Sequence, residues 1–186
     1  MSLPHALLTA LAEQPGSGSD LARRFDRSIG YFWQATHQQI YRELARLEAS
    51  GWIEALPVED GRGRKRRYLI LDAGRVELRR WTQEAQTPSP IRDELLVRLR
   101  AEAVVGPTGL RDELMALAEQ HRQKLAKYRE IEARDFCANS QGPEKKLQHL
   151  VLTSGITYET YRLTLCDEAI ALLAEQDPRI TNHPQT

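Results

Sequence analysis

Apolar residues recur along most of this chain at intervals of three and four, the spacing that gathers them on one face of a helix. Leu3, Leu7, Leu8 and Leu11 make the first such stripe, and Gln14-Pro15-Gly16 stops it. Ser17 and Asp20 form a capping-box signal. They open a short helix with Leu21, Ala22 and Phe25 inward and Arg23, Arg24 and Arg27 outward. A turn through Ser28-Ile29-Gly30 leads to Tyr31, Phe32 and Trp33, an aromatic cluster suited to core packing. Thr36 and Gln39 repeat the capping-box pattern, so a third helix is expected from His37. Its Ile40, Leu44 and Leu47 face inward, Gly51 ends it, and Gln38, Gln39, Arg42 and Arg46 point elsewhere.

Beyond Gly51 the period changes. Trp52 to Val58 and Arg67 to Leu71 are short runs rich in aromatic and aliphatic residues, and the polar, glycine-bearing stretch 59–66 separates them. This predicts a two-stranded β-hairpin. Asp72 is placed to cap a fourth helix through Val76, Leu78 and Trp81. Thr87-Pro88-Ser89-Pro90 then reads as a stiff linker, because the residue before each proline is pushed away from helix.

Past the linker the pattern is helical almost throughout. Ile91, Leu95, Leu96, Leu99 and Ala103 form one stripe, ended by Gly106-Pro107. From Thr108 a long helix is expected to bury Leu110, Leu114, Leu117, His121, Leu125, Tyr128 and Ile131. The segment from Asn139 to Pro143 breaks it, and a last helix from about Glu144 to Glu175 carries Leu147, Leu150, Val151, Tyr158, Tyr161, Leu165 and Leu172. Two long helices joined by a short loop form an antiparallel hairpin. Their apolar faces are wider than one partner helix covers, so a second subunit is expected on Leu95, Leu99, Leu114, Leu117, Leu125, Tyr128, Leu147, Val151, Tyr158, Tyr161 and Leu165. The predicted fold is mostly α. A winged helix-turn-helix with a two-stranded wing occupies residues 1–86, a linker 87–90, a helical-hairpin dimerisation domain 91–176, and a polar tail 177–186.

Composition narrows the function. With 186 residues, 41% hydrophobic and 28% charged, the chain can bury two small cores, and no apolar run approaches the roughly 20 residues of a membrane span. The N-terminus lacks the basic start of a signal peptide, so a cytoplasmic protein is expected. Cys137 and Cys166 are too few and too far apart for a disulfide framework or a zinc motif. The five histidines make no ligand pair at helical spacing, and neither a phosphate loop nor a nucleophile elbow occurs, so no catalytic residue, metal or cofactor is expected.

Net charge is zero, yet Arg62, Arg64, Lys65, Arg66 and Arg67 fall within six residues and extend from the tip of the hairpin. Cations in that place neutralise phosphates and add affinity without sequence preference. On the preceding helix, His37, Gln38, Gln39 and Arg42 have the side chains that reach base edges in a major groove. The competing reading is a winged-helix module that binds protein and has lost DNA. Such a module would show no salt-dependent retention on random duplex and would not need five cations. A small-molecule enzyme is a weaker third reading, because no acid–base pair can be named.

The segments Ser17 to Asp26, Gln39 to Ile53 and Arg66 to Arg75 resemble the PadR-like bacterial transcriptional regulators. Ile40-Tyr41 followed by Leu44, Leu47 and Gly51, then Asp72-Ala73-Gly74-Arg75, is the most specific part; that exit usually carries Thr where this chain has Asp72. Pro90 to Leu99 and the long hairpin are similar to the branch with a virulence-activator-like C-terminal region. The resemblance implies a homodimer on an inverted-repeat operator in double-stranded DNA, with Tyr41 on the DNA-facing helix. It also brings in a small-molecule effector as a candidate partner, with Tyr128, Tyr158 and Tyr161 as candidate cavity residues, although packing is the favoured role for these rings.

Overall fold

The computed structural model describes residues 3–27, 35–57, 66–85, 87, 90, 92–136 and 142–176. Several expectations lie outside them: the turn Ser28-Ile29-Gly30 and the cluster Tyr31-Phe32-Trp33, the cations Arg62, Arg64 and Lys65, Pro88-Ser89 of the linker, Ile91 of the stripe that follows it, the break from Asn139 to Gln141, and the tail from 177. The chain divides into two compact units, Met1–Pro88 and Ser89–Thr186, each with its own core.

In the first unit the order is α1 (Leu3–Glu13), β1 (Gly16–Ser17), α2 (Gly18–Arg27), α3 (His37–Ala49), β2 (Ile53–Ala55), β3 (Arg67–Ile70) and α4 (Asp72–Thr82). The stripes expected on α1, α2 and α3 meet in one core of Leu7, Leu8, Leu11, Leu21, Phe25, Ile40, Leu44 and Leu47, closed by Ile53, Tyr68 and Ile70 from the strands. Helix α3 begins on a complete capping box: the Gln39 amide donates to Thr36 Oγ1 at 3.2 Å, and the Thr36 amide donates to Gln39 Oε1 at 2.8 Å. At its other end Gly51 adopts φ +67°, a left-handed conformation that suits glycine.

Two details depart from the sequence pattern. Among the described residues the sheet has three antiparallel strands, in the order β1-β3-β2, with Ser17 opposite Arg67 and Gly16 opposite Tyr68. A two-residue strand is too short to show alternation, so β1 left no periodic signal. Ser17 is also the cap of α2, where its Oγ accepts from the Asp20 amide at 3.2 Å. Helix α4 is capped differently as well: Leu71 is the cap residue without a side-chain bond, and Asp72 lies inside the first turn. There its charge favours the helix N-terminus without satisfying an amide.

The second unit consists of α5 (Glu94–Val105), α6 (Leu110–Asp135) and α7 (Pro143–Gln176). Asp93 caps α5 by accepting from the Leu95 amide at 3.0 Å, and its other oxygen receives Arg162 of α7. Tyr128 packs on Gly155, His121 pairs with Glu159, and Glu132 pairs with His149. Numbers rise on one helix as they fall on the other, so α6 and α7 run antiparallel. The inward face of α6 carries Leu110, Leu114, Ala118, His121 and Tyr128.

The inward face of α7 differs from the expected stripe. Leu152, Glu159, Arg162, Cys166 and Ala169 are buried, whereas Leu147, Leu150, Val151, Tyr158, Tyr161 and Leu172 stand exposed. Helix α7 has apolar residues all round, so periodicity does not choose a face. Its buried side also holds Glu159 and Arg162, which a hydrophobic pattern assigns to solvent. Burial raises the Cys166 thiol above its ordinary pKa.

Candidate nucleic-acid interface

Helix α3 presents one face to the core and leaves the opposite side of its first two turns bare. His37, Gln38, Gln39, Tyr41 and Arg42 are all exposed. The capping box fixes the start of the helix, so these side chains project from a set origin. Gln39 differs from its neighbours: its carbonyl oxygen is committed to the Thr36 amide, which leaves only its NH₂ group to reach outward.

Tyr41 is half exposed, yet its ring rests on α2. A Cβ on Gly18 would come within 2.3 Å of the ring, so glycine at the first position of α2 makes room for Tyr41. The contact ties the α2 start to the second turn of α3. Spacing along the chain does not reveal it, because the contact exists only once α2 and α3 are packed together.

Of the five clustered cations, Arg66 and Arg67 lie among the described residues, at the root of the hairpin. Arg66 donates to Glu48 of α3 at 2.7 Å, and its guanidinium lies 5.6 Å from the centre of the Tyr68 ring. Burial pushes the Tyr68 phenol up, and the neighbouring Arg66 opposes that shift. Arg67 is exposed, and among the described residues no hydrogen bond or ion pair holds its side chain. Glu48 was not singled out in the sequence. It lies seven residues after Tyr41, two turns along the same face, and that spacing is the signal that could have marked it.

The residues expected at a subunit interface fall into three groups. Leu95, Leu114 and Tyr128 are buried in their own chain's core; Leu99, Leu117, Leu125 and Leu165 are half-buried; Leu147, Val151, Tyr158 and Tyr161 are exposed. Tyr128 faces Gly155 inside the hairpin, so it does not share a surface with exposed Tyr158 and Tyr161. Among the described residues, no three His, Cys, Asp or Glu side chains gather as a metal site, and no helix is long and apolar enough to cross a membrane.

Comparisons with known proteins relate the chain to transcriptional regulators. Residues 7–80 match the family model described as Transcriptional regulator PadR-like family, and residues 91–174 match Virulence activator alpha C-term. The chain is 43% identical to the protein named Probable transcriptional regulator Rv1176c of Mycobacterium tuberculosis, over 95% of this chain and 100% of that one. It is 33% identical to Negative transcriptional regulator PadR of Bacillus subtilis, over 52% of this chain and 54% of that one. The crystal structure of that PadR with operator DNA shares the fold, at a TM-score of 0.76, 24% identity and coverage of 93% and 99%. The Vibrio cholerae virulence activator AphA gives a TM-score of 0.78 at 32% identity, covering 95% of this chain and all of that one.

Proposed function

We propose a mode of action from one premise: this chain belongs to the PadR-like family of transcriptional regulators. It acts as a homodimer on an inverted-repeat operator, reading bases with α3 and holding phosphates with the wing. The observation that carries this reading is the bare face of α3, where His37, Gln38 and Arg42 project from a capped helix start. Gln38 suits adenine and Arg42 suits guanine through paired hydrogen bonds. Tyr41 and the NH₂ of Gln39 contact the backbone or an adjacent base, and Arg62, Arg64, Lys65, Arg66 and Arg67 meet phosphates or the minor groove.

Residues 1–86 carry the DNA contacts and residues 91–176 hold two copies together. Exposed Leu147, Val151, Tyr158 and Tyr161 on α7 supply the apolar surface between subunits, with Leu99, Leu117, Leu125 and Leu165 at its margin and Leu95, Leu114 and Tyr128 supporting it from inside. Regulation is negative, in line with the relative named as a negative regulator, and a small molecule releases the operator. The protein works in the cytoplasm by occupancy and not by catalysis. Selection of bound duplexes from random DNA, repeated across salt concentrations, tests the reading: an inverted repeat is expected, and recovery of unrelated sequences with no salt dependence would overturn it. Within such a site, Gln38→Ala relaxes preference at one base pair by about 1–3 kcal/mol, measured as the affinity ratio of matched and mismatched duplexes.

A further inference from the structure

We propose that Arg23 and Arg67 form an additional seat for a phosphodiester of the DNA backbone, in a cleft beside the base-reading helix. The inference rests on the DNA-binding reading and adds to it a contact made by α2 and the strands. Gln14, Pro15, Asp20, Arg23, Arg24 and Arg67 line this cleft, whose volume is about 320 Å³. Three arginines thus line one cleft. Like charges gathered at a surface raise the local potential and favour an anion.

The walls are fixed by the fold. Arg24 donates to the carbonyl oxygens of Ala10, Gln14 and Pro15, which pins it between α1 and α2. Asp20 accepts from the Ser17 amide at 3.0 Å, from Ser17 Oγ at 2.7 Å and from Arg23. These bonds, the Ser17 hydroxyl foremost, hold its carboxyl down at about 2, so it stays ionised and orients the Arg23 guanidinium. Arg67 stands across the sheet edge opposite Ser17 and has no counter-ion among the described residues. One carboxylate therefore offsets Arg23, and Arg67 leaves positive charge uncompensated.

Placement argues for a backbone phosphate. Ser17 is the strand partner of Arg67, and the next residue, Gly18, touches the Tyr41 ring of α3. Arg67 on the cleft wall is thus linked, through its strand partner Ser17 and then Gly18, to a contact with the base-reading helix. A polar, arginine-lined groove also differs from the mostly apolar pockets that enclose small organic ligands. A passing phosphodiester needs two or three donors and no enclosure.

The test compares wild type with Arg23→Gln, Arg67→Gln and the double variant on the selected duplex and on random duplex. Arg23 is 65% exposed at its side chain, so its replacement leaves the core untouched. Expected is a fall in the salt slope of affinity of about one for each arginine, equal on both DNAs, and loss of ethylation interference at a phosphate flanking the α3 footprint. An unchanged slope and an unchanged interference pattern in Arg23→Gln, with a lowered slope in Arg67→Gln, would overturn the seat while leaving the functional reading intact. A calorimetric titration with pyrophosphate separates the sources of phosphate. Pyrophosphate binding lost in Arg23→Gln, with wild type retaining no duplex, keeps the anion site and removes the DNA reading. Neither duplex nor pyrophosphate binding would overturn both.

Discussion

Helices α3 and α7 solve opposite problems with similar residues. On α3, buried Ile40, Leu44 and Leu47 alternate with polar positions, so the pattern alone divides core from exposed face. On α7, apolar residues point both inward and outward, and charged Glu159 and Arg162 lie inside. Periodicity names a buried face only when the other face is polar. A helix that is apolar all round is positioned by its polar exceptions, each of which must find a partner when buried.

That contrast can be broken most forcefully in the first core. Leu44 has no exposed surface, so Leu44→Ala should destabilise the first unit by about 2–5 kcal/mol, measured by chemical denaturation. Leu150→Ala on the exposed side of α7 in the same assay should change monomer stability little. A similar loss at both positions would erase the distinction between the two helices.

A smaller effect is expected where the core is held by polar groups. His121 Nδ1 lies 2.5 Å from Glu159 Oε2 in a buried pair. Glu159→Leu leaves the imidazole without that partner and should cost about 1–3 kcal/mol. The double variant with His121→Leu should recover most of the loss, because both polar groups are then gone. Failure to recover would mean that the pair contributes through geometry that leucines cannot replace.

Next in size is a pH-dependent tie within the first unit. Arg80 first, then His5, hold the Glu77 carboxyl at about 2, below its ordinary 4.5. His5 also stacks on Trp81 with ring centres 4.4 Å apart. A depressed folded pKa adds stability that is complete above the unfolded value and is lost as pH falls through the folded one. Glu77→Gln should therefore lower stability by about 1 kcal/mol at neutral pH, and the difference should close between pH 4.5 and about 2. Thermal melts across that range check both the sign and the window. The smallest effect belongs to the cap: Thr36→Ala should cost up to about 1 kcal/mol and weaken operator binding by fraying the helix start, read by denaturation and by affinity.

The first unit was the more legible because its signals are local. Both capping boxes, the stop at Pro15 and the turn at Gly51 each depend on residues within four positions. Strand β1 was not legible, since its pairing with β3 joins residues about fifty positions apart and involves only two of them. In the interface, the exposed face of α3 followed from spacing. The Glu48–Arg66 pair and the Tyr41–Gly18 contact did not, because each needs the strands or α2 in place before it exists. The buried Glu159 and Arg162 were hidden for another reason: a pattern that sorts by hydrophobicity sends every charge to water.

Ser17 belongs to two assemblies at once, as a rung of the sheet opposite Arg67 and as the hydroxyl that starts α2. Such a residue leaves no slack on either side. One extra residue between Ser17 and Gly18 would put the strand and the helix out of step. The α1–α2 connection therefore has a set length, and changes in the spacing of bound DNA elements must be accommodated elsewhere in the chain.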